Sequence, residues 1–260
     1  MSKLQLTLVQ ANLVWENKEA NRRQLDDLVA AIDKPNEVIV FPEMFTTGFS
    51  MRPELFAEHA GNETLAWLTQ LSANKNMVIC GSLMFAENGA YYNRFIWMQP
   101  KGSYMHYDKS HLFRIGEENK HYQYGRHKTI IQHNGWRIMP VVCYDLRFPV
   151  WLRRTANEDY DLMLVVANWP DRRIEHWKAL LIARAIENQC YVVAVNRVGV
   201  DGNGVNHPGD SMVISPKGEV VLHLKEHALA TPVTLDLQEV LAWREAFPAW
   251  KDADGFSMNR

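Results

Sequence analysis

Two unbroken apolar runs constrain the fold of this 260-residue chain more than any other feature of its sequence. Residues 162–167 and 191–195 contain no charged side chain and do not alternate between polar and apolar residues. Such runs are typical of strands that are covered on both faces. Residues 173–189, between the two runs, are predicted to form a helix, so we expect a sheet-rich α/β protein.

The rest of the chain adds further helices and hairpins. In the first third, apolar spacing predicts strands over 4–10, 38–41 and 77–80 and helices over 18–32 and 63–73. Later apolar alternations are separated by the turn sequences Pro100-Lys101-Gly102, Asn134-Gly135 and Pro216-Lys217-Gly218. These turns predict antiparallel pairing. Periodicity does not determine the order of strands within a sheet.

Composition indicates a globular protein that acts on a small molecule. With 47% hydrophobic and 22% charged residues and no linker-like stretch, residues 1–260 are expected to form one domain. A formal net charge of −2 and a pI near 6.6 predict no nucleic-acid partner, and no dense Lys/Arg run suggests a membrane partner. The first ten residues alternate like a strand, and no apolar run is long enough for a membrane span. We therefore expect a cytoplasmic location.

Neither a metal nor a cofactor is expected. The three cysteines, Cys80, Cys143 and Cys190, include no CxxC pair, which argues against a zinc cage and a disulfide framework. The ten histidines show no HExxH spacing, and no glycine-rich phosphate loop is present. Catalysis is predicted to depend on side chains alone.

Three reactive side chains follow strand-like runs. Cys143 stands where an apolar run breaks into a polar turn, Glu43 follows the run over 38–41, and Lys109 follows another strand-like run. A cysteine nucleophile needs a base for its proton and a positive or N–H-rich pocket for the oxyanion. Taken singly, each residue has an ordinary alternative: a buried structural thiol, a strand-end carboxylate and a solvated lysine. Their combination favours catalysis.

These three segments, in this order, resemble the nitrilase superfamily of carbon–nitrogen hydrolases. The likeness extends to about residue 225 through Ala167-Asn168-Trp169-Pro170, His176-Trp177 and the segments 183–188, 195–199 and 209–211. It implies a Glu-Lys-Cys triad of Glu43, Lys109 and Cys143, and a four-layer α-β-β-α sandwich. It also implies a homodimer. Many members carry a second active-site glutamate, for which Glu118 is favoured over Glu117 on its spacing to Gly125.

Five further residues are predicted to contact the substrate. Arg147 can bind a carboxylate bidentately, or it can brace the turn through Asp145. Asn168 and Trp169 end an apolar strand and are predicted to line the pocket. Phe113 and Tyr144 either line the pocket as well or pack in the core. The polar positions Arg184, Glu187 and Asn188 match a motif of the superfamily, yet their spacing also describes a self-paired helix face, and a structural role is favoured.

The nucleophile segment Cys-Tyr-Asp-Leu-Arg-Phe-Pro is most similar to the omega-amidase branch, although Val150 stands where related sequences often have glutamate. This resemblance implies hydrolysis of the terminal amide of 2-oxo acids such as 2-oxoglutaramate and 2-oxosuccinamate, through a cysteine thioester. Alternatives with the same triad act on a nitrile, an N-carbamoyl group or a deaminated glutathione. A different class of function, a non-catalytic interaction module, leaves the intact triad without a purpose.

Overall fold

The computed structural model describes residues 3–32, 37–155 and 157–258. Its α-helices are α1 Lys18–Ala30, α2 Pro53–Phe56, α3 Glu63–Lys75, α4 Glu118–His121, α5 Pro149–Leu152, α6 Ile174–Asn188 and α7 Leu237–Ala246. Its first seven strands are β1 Lys3–Gln10, β2 Val38–Val40, β3 Val78–Glu87, β4 Ala90–Met98, β5 Tyr104–Asp108, β6 Ile131–His133 and β7 Trp136–Val142. The other strands are β8 Leu162–Ala167, β9 Tyr191–Asn196, β10 Val198–Val200, β11 Asn206–Pro208, β12 Met212–Ile214, β13 Val220–His223 and β14 Leu229–Asp236.

Two six-stranded sheets share one plan. The first has the order β14-β1-β2-β3-β4-β5 and the second the order β13-β12-β9-β8-β7-β6. In each sheet the three strands β1, β2 and β3, or β7, β8 and β9, are parallel, and antiparallel strands flank them on both sides. Of the parallel strands, β2 and β8 are entirely apolar.

Alternating side chains place the first sheet between a second sheet and a helical layer. Leu6 and Val38 face a large apolar cluster that includes the strands of the second sheet, whereas Ile39 faces a separate cluster with Leu25 of α1 and Leu68 of α3. On the far side of the second sheet, α6 contributes Trp177, Leu181 and Ala185 to the large cluster. The layers are therefore helix, sheet, sheet and helix, which confirms the predicted four-layer α-β-β-α sandwich.

Local signals explain where several elements begin and turn. The Asn62 side chain accepts a hydrogen bond from the Leu65 backbone N–H at 3.1 Å and so caps α3, as its position before the apolar stripe suggests. The three predicted turn sequences connect β4 to β5, β6 to β7 and β12 to β13, all of them antiparallel pairs. No helix in the described ranges is both long and apolar enough to cross a membrane.

Candidate active site

Strand ends deliver the reactive residues to one edge of the two sheets. Lys109 directly follows β5, and its backbone N–H donates to the Asn93 carbonyl at 2.9 Å. Cys143 directly follows β7, and Glu43 lies three residues beyond β2. Short connections fix each side chain relative to a buried strand, so the three meet although they are distant in sequence.

The Lys109 ammonium lies between two carboxylates in the interior. Its Nζ donates to Glu43 Oε1 at 2.9 Å and to Glu118 Oε1 at 3.0 Å. The side chains of all three residues are fully shielded from solvent. A buried ammonium needs such partners, because an unpaired charge at this depth would cost several kcal/mol. The favoured second glutamate, Glu118, thus adjoins Lys109, whereas Glu117 is exposed and pairs with Lys120.

The Glu43 carboxylate is also held from the second sheet. Asn168, the residue after β8, donates from its backbone N–H to Glu43 Oε2 at 2.8 Å and from its side-chain amide to the Glu43 carbonyl at 2.6 Å. These bonds fix the carboxylate while leaving it close enough to Cys143 for its charge to act on the thiol. The Glu43 carboxylate is therefore oriented before any ligand binds.

Cys143 begins a 3₁₀ turn, Cys143–Arg147, with a left-handed φ of +46°. A non-glycine residue adopts this conformation only where its surroundings hold it. Here the buried Asp145 carboxylate accepts from the Tyr107 hydroxyl at 2.8 Å and from the His111 backbone N–H at 2.8 Å. Arg184 of α6 donates to the Leu146 carbonyl from two nitrogens, at 3.1 and 2.9 Å. The turn is thereby held in place, with the half-buried thiol facing a cleft.

Burial and charge set the protonation of the site in the resting state. Burial by itself would lower the pKa of Lys109, but the carboxylates of Glu118 and Glu43 outweigh it and raise that pKa above its usual range. Burial, helped by the nearby Glu43 charge, raises the pKa of Glu118. Burial and the Glu43 carboxylate likewise raise the pKa of the Cys143 thiol, against the opposing effect of Lys109. The thiol therefore rests protonated and needs a base to become a nucleophile.

The cleft above Cys143 has a volume of about 160 Å³ and a cationic wall. Arg147, Arg172 and Arg173 line it together with one carboxylate, that of Asp201, and within the described residues none of the three guanidinium groups forms an ion pair with a carboxylate. Arg147 lies over the Trp169 ring at 4.7 Å and hydrogen-bonds to His176, whereas Asp145 is bonded to Tyr107 and His111. A small anionic ligand would match this wall.

The other residues predicted to contact substrate also border the cleft. Phe113, Tyr144, Asn168 and Trp169 all line it, and the rings of Phe113 and Tyr144 pack edge to face with centroids 5.1 Å apart. Asn168 has a second role that the sequence did not suggest, since it also anchors Glu43. The Oδ1 atom of Asn168 is buried and has no hydrogen-bond partner among the described residues.

Several site residues were missed from sequence, among them Asn93 and Arg173. Asn93 donates to both Glu43 and Glu118, and Arg173 lies over the Phe113 ring at 5.1 Å in the cleft wall. Asn93 carried a usable signal, because an amide that precedes the apolar run of β4 must find buried partners. Arg173 carried none, since it reads as one of two adjacent surface arginines at a helix start.

The Lys109 ammonium occupies the space between the Glu43 and Glu118 carboxylates. The two carboxylates point at the Lys109 ammonium, and within the described ranges no group of three or more His, Cys, Asp or Glu side chains is arranged to hold a metal ion. The chemistry available from these side chains is proton transfer, nucleophilic attack by sulfur and stabilisation of an oxyanion.

A four-layer sandwich with an acid pair, an ammonium and a thiol at the sheet edge defines a class of enzyme. A sequence model of the carbon–nitrogen hydrolases matches residues 5–245. The chain belongs to this family, as its sequence predicted.

Its relatives give the finer likeness. The chain is 46% identical over 259 residues to the omega-amidase YafV of Escherichia coli K12, covering 99% of this chain and 100% of that protein. It is 29% identical to the 2-oxoglutaramate amidase of Bacillus subtilis, over 95% and 96% of the two chains. The crystal structure of XC1258 from Xanthomonas campestris, a CN-hydrolase superfamily protein with an arsenic adduct in the active site, superimposes with a TM-score of 0.97 at 40% identity and full coverage of both chains.

Proposed function

We propose that this protein is an omega-amidase that hydrolyses the terminal carboxamide of short 2-oxo acids to the dicarboxylic 2-oxo acid and ammonia. The observation that carries the proposal is the buried Glu43–Lys109–Glu118 cluster near Cys143, which itself lines a small cleft with a guanidinium wall. The likeness to the omega-amidase of E. coli and the 2-oxoglutaramate amidase of B. subtilis supports the choice of substrate class.

The first half-reaction forms a thioester. Glu43 accepts the proton of the Cys143 thiol, and the sulfur attacks the carbonyl carbon of the carboxamide. The Lys109 ammonium and the backbone N–H of Tyr144 stabilise the oxyanion, where loss of one such donor typically costs about 3–4 kcal/mol. Glu43 then returns the proton to the leaving nitrogen, the carbon–nitrogen bond breaks, and ammonia departs.

The second half-reaction releases the acid. Glu43 takes a proton from water, the resulting hydroxide attacks the thioester carbon, and the carbon–sulfur bond breaks. The proton returns to Cys143, which restores the resting enzyme. Glu118 has no proton-transfer step here and serves to orient Lys109 and the substrate.

Substrate orientation follows from the two kinds of group in the cleft. Arg147 binds the substrate carboxylate bidentately, on the side of the cleft where the guanidinium groups lack carboxylate partners among the described residues. At the reacting end, Asn168 and Tyr144 border the cleft beside Cys143.

An ammonia-release panel tests this function. Short monoamides with and without a 2-oxo acid group are assayed on the wild-type enzyme, with Cys143→Ala as the blank. We expect turnover of the 2-oxo monoamides, none by Cys143→Ala, and retained turnover by Cys80→Ala and Cys190→Ala, because both of those thiols are buried in the core. A trapped adduct on Cys143 in mass spectrometry would report the thioester.

Other outcomes of the panel decide between alternatives. Carbon dioxide as a co-product would identify a carbamoylase, and the absence of any acyl adduct or ammonia would leave an interaction module. Arg147→Met should raise KM for the 2-oxo monoamides about tenfold or more while sparing uncharged amides. Equal effects on both substrate types would contradict the carboxylate role of Arg147.

We further propose a homodimer. Exposed apolar side chains gather near the end of α6: Ile186, Val220 and Val221 of the edge strand β13, and Val150 of α5. Ile186 lies against the turn at Gly218, and Arg153 donates to the Glu187 carbonyl, which brings these elements side by side. Exposed apolar side chains on neighbouring elements support association. A cytoplasmic location and the lack of a nucleic-acid partner stay predictions from composition.

A further inference from the structure

Asn93 links the two carboxylates of the site. It lies in β4, fully buried, and its side-chain N–H₂ donates to Glu43 Oε1 at 2.8 Å and to Glu118 Oε1 at 3.1 Å. The two hydrogens of one amide therefore serve both acids, on the same oxygens that face Lys109.

The orientation of this amide is fixed by a chain of hydrogen bonds. The Met44 backbone N–H donates to Ser82 Oγ at 2.9 Å, and Ser82 Oγ donates to Asn93 Oδ1 at 2.8 Å. A backbone N–H is always a donor, so the Ser82 hydroxyl accepts there and gives its single hydrogen to Asn93. The Asn93 oxygen is thus committed to Ser82, and only its N–H₂ group can face the carboxylates.

Among the described residues, three charged or titratable groups adjoin these acids. Lys109 supplies the ammonium, Cys143 lies near Glu43, and the Tyr122 hydroxyl, near Glu118, donates to the Ser50 carbonyl. Two carboxylates with one ammonium carry an excess negative charge in a buried place. Neutral donors that favour the ionised forms are the remaining way to offset it.

We propose that Asn93 is a positioning residue for catalysis, which keeps the Glu43 and Glu118 carboxylates ionised and aligned on Lys109, with Ser82 setting the amide orientation. Asn93 acts through Glu43 and does not touch the substrate. This inference rests on the proposed role of Glu43 as the base for Cys143.

The test uses two variants and two readouts. Asn93→Ala removes both donors, and Ser82→Ala releases the amide while leaving Asn93 in place. A carboxylate that loses a donor is more easily protonated, so we expect the acidic limb of the kcat profile to move to higher pH in Asn93→Ala. At neutral pH kcat should fall at least about tenfold with little change in KM. Ser82→Ala should move the limb in the same direction by less.

Alkylation of Cys143 by iodoacetamide provides a readout that needs no substrate. Its rate against pH, followed by mass spectrometry, should show the same displacement of the acidic limb. If wild-type enzyme lacks amidase activity but the alkylation limb moves in Asn93→Ala, the proposed substrate fails and the role of Asn93 stands.

Asn188→Ala is the matched control. Asn188 is also buried and also bonds through both ends of its amide, to the Arg154 N–H and the Arg184 carbonyl, but it lies on α6 away from the acids. It should lower thermal stability without moving either limb. The proposal is overturned if Asn93→Ala and Ser82→Ala leave both limbs at the wild-type pH and lose activity only in proportion to lost folded protein. Should Asn93→Ala not fold, Ser82→Ala alone decides.

Discussion

At the scale of single residues, Lys109 sets the charge balance of the site. Its ammonium is fully enclosed and contacts two carboxylates, so the protein retains an ionic cluster where apolar residues of similar volume would often be as stable. Such a cluster is suited to proton transfer, because small changes in geometry alter which of the neighbouring groups carries the charge. In the proposed mechanism, this cluster serves the reactivity of Cys143.

Glutamine at position 118 should disable this cluster. Both carboxylate oxygens of Glu118 accept hydrogen bonds, from Lys109, Asn93 and the Phe113 backbone N–H. In Glu118→Gln one of these oxygens becomes an N–H₂ group, so a donor would face another donor. We expect kcat to fall about a hundredfold, the size of effect seen when one oxyanion-stabilising donor is lost, because Lys109 would no longer be held in position. Steady-state ammonia release, normalised to titrated Cys143, measures it.

Glu117→Gln is the companion variant. Glu117 is exposed and pairs only with the equally exposed Lys120 in the described ranges, an arrangement that contributes little to stability. Its kcat should match the wild type. Near-normal and equal rates in both glutamine variants would refute the assignment of Glu118 to the site.

At the scale of elements, the hairpin β10–β11 forms one wall of the cleft, which was not predicted from the sequence. It contributes Asp201, Asn203, Val205 and His207 to the cleft. Gly202 lies so close to the Trp15 ring that a Cβ there would come within 2.3 Å of it, which ties the hairpin to the loop after β1. Along the sequence, β8 and β9 lie between Cys143 and these residues. No local pattern indicates that they border the same cleft as Cys143.

His207 of this hairpin gives the fold a dependence on pH. Burial, assisted by the Arg197 charge, lowers the pKa of His207 to about 4. The unfolded chain binds the proton near pH 6.5, so between about pH 6.5 and 4 the unfolded state holds more protons and stability falls as pH falls. His207→Gln should lose less free energy of unfolding between pH 7 and 5 than the wild type, by on the order of 1–2 kcal/mol.

Urea unfolding at pH 7, 6 and 5 measures this difference. His227→Gln, at an exposed position, is the control and should follow the wild-type dependence. If the free energy of unfolding changes equally with pH in the wild type and in His207→Gln, the prediction is wrong, because the His207 imidazole would then have the same pKa in the folded and unfolded states.

At the scale of the whole molecule, association should depend on the apolar surface near Ile186. Ile186→Asp places a charge on that surface, and we expect it to yield monomers at concentrations where the wild type is dimeric. Leu55→Asp, at a similarly exposed apolar position on α2, should stay dimeric. Light scattering coupled to size exclusion gives the mass. A dimeric Ile186→Asp would place the interface elsewhere.

Local patterns predicted the elements well. The strand Leu162–Ala167 has the predicted bounds, and α6 begins one residue after and ends one residue before the predicted helix. Strong apolar runs and turn residues determine these segments by themselves. The order of strands came from no pattern, because pairing such as β14 with β1 depends on contacts between distant segments.

The site was predicted in the same uneven way. Glu43, Lys109, Cys143 and Glu118 were named from motifs at strand ends and from resemblance, and the structure brings them together, while their catalytic roles stay proposals. Asn93 and Arg173 were missed because their importance depends on which side chains surround them. Sequence could not decide whether Arg147 braces the turn through Asp145 or binds a substrate carboxylate, since an arginine suits both roles.

The register of β1 with β14 bears on synthesis in the cell. Eight residue pairs, from Lys3 with Asp236 to Gln10 with Leu229, join the earliest strand to the last one. A nascent chain on the ribosome therefore carries β1 with an unfilled hydrogen-bonding edge until residues 229–236 have emerged. Such an edge invites pairing with other chains. Premature termination before residue 229 should consequently yield aggregates in place of a partly working enzyme.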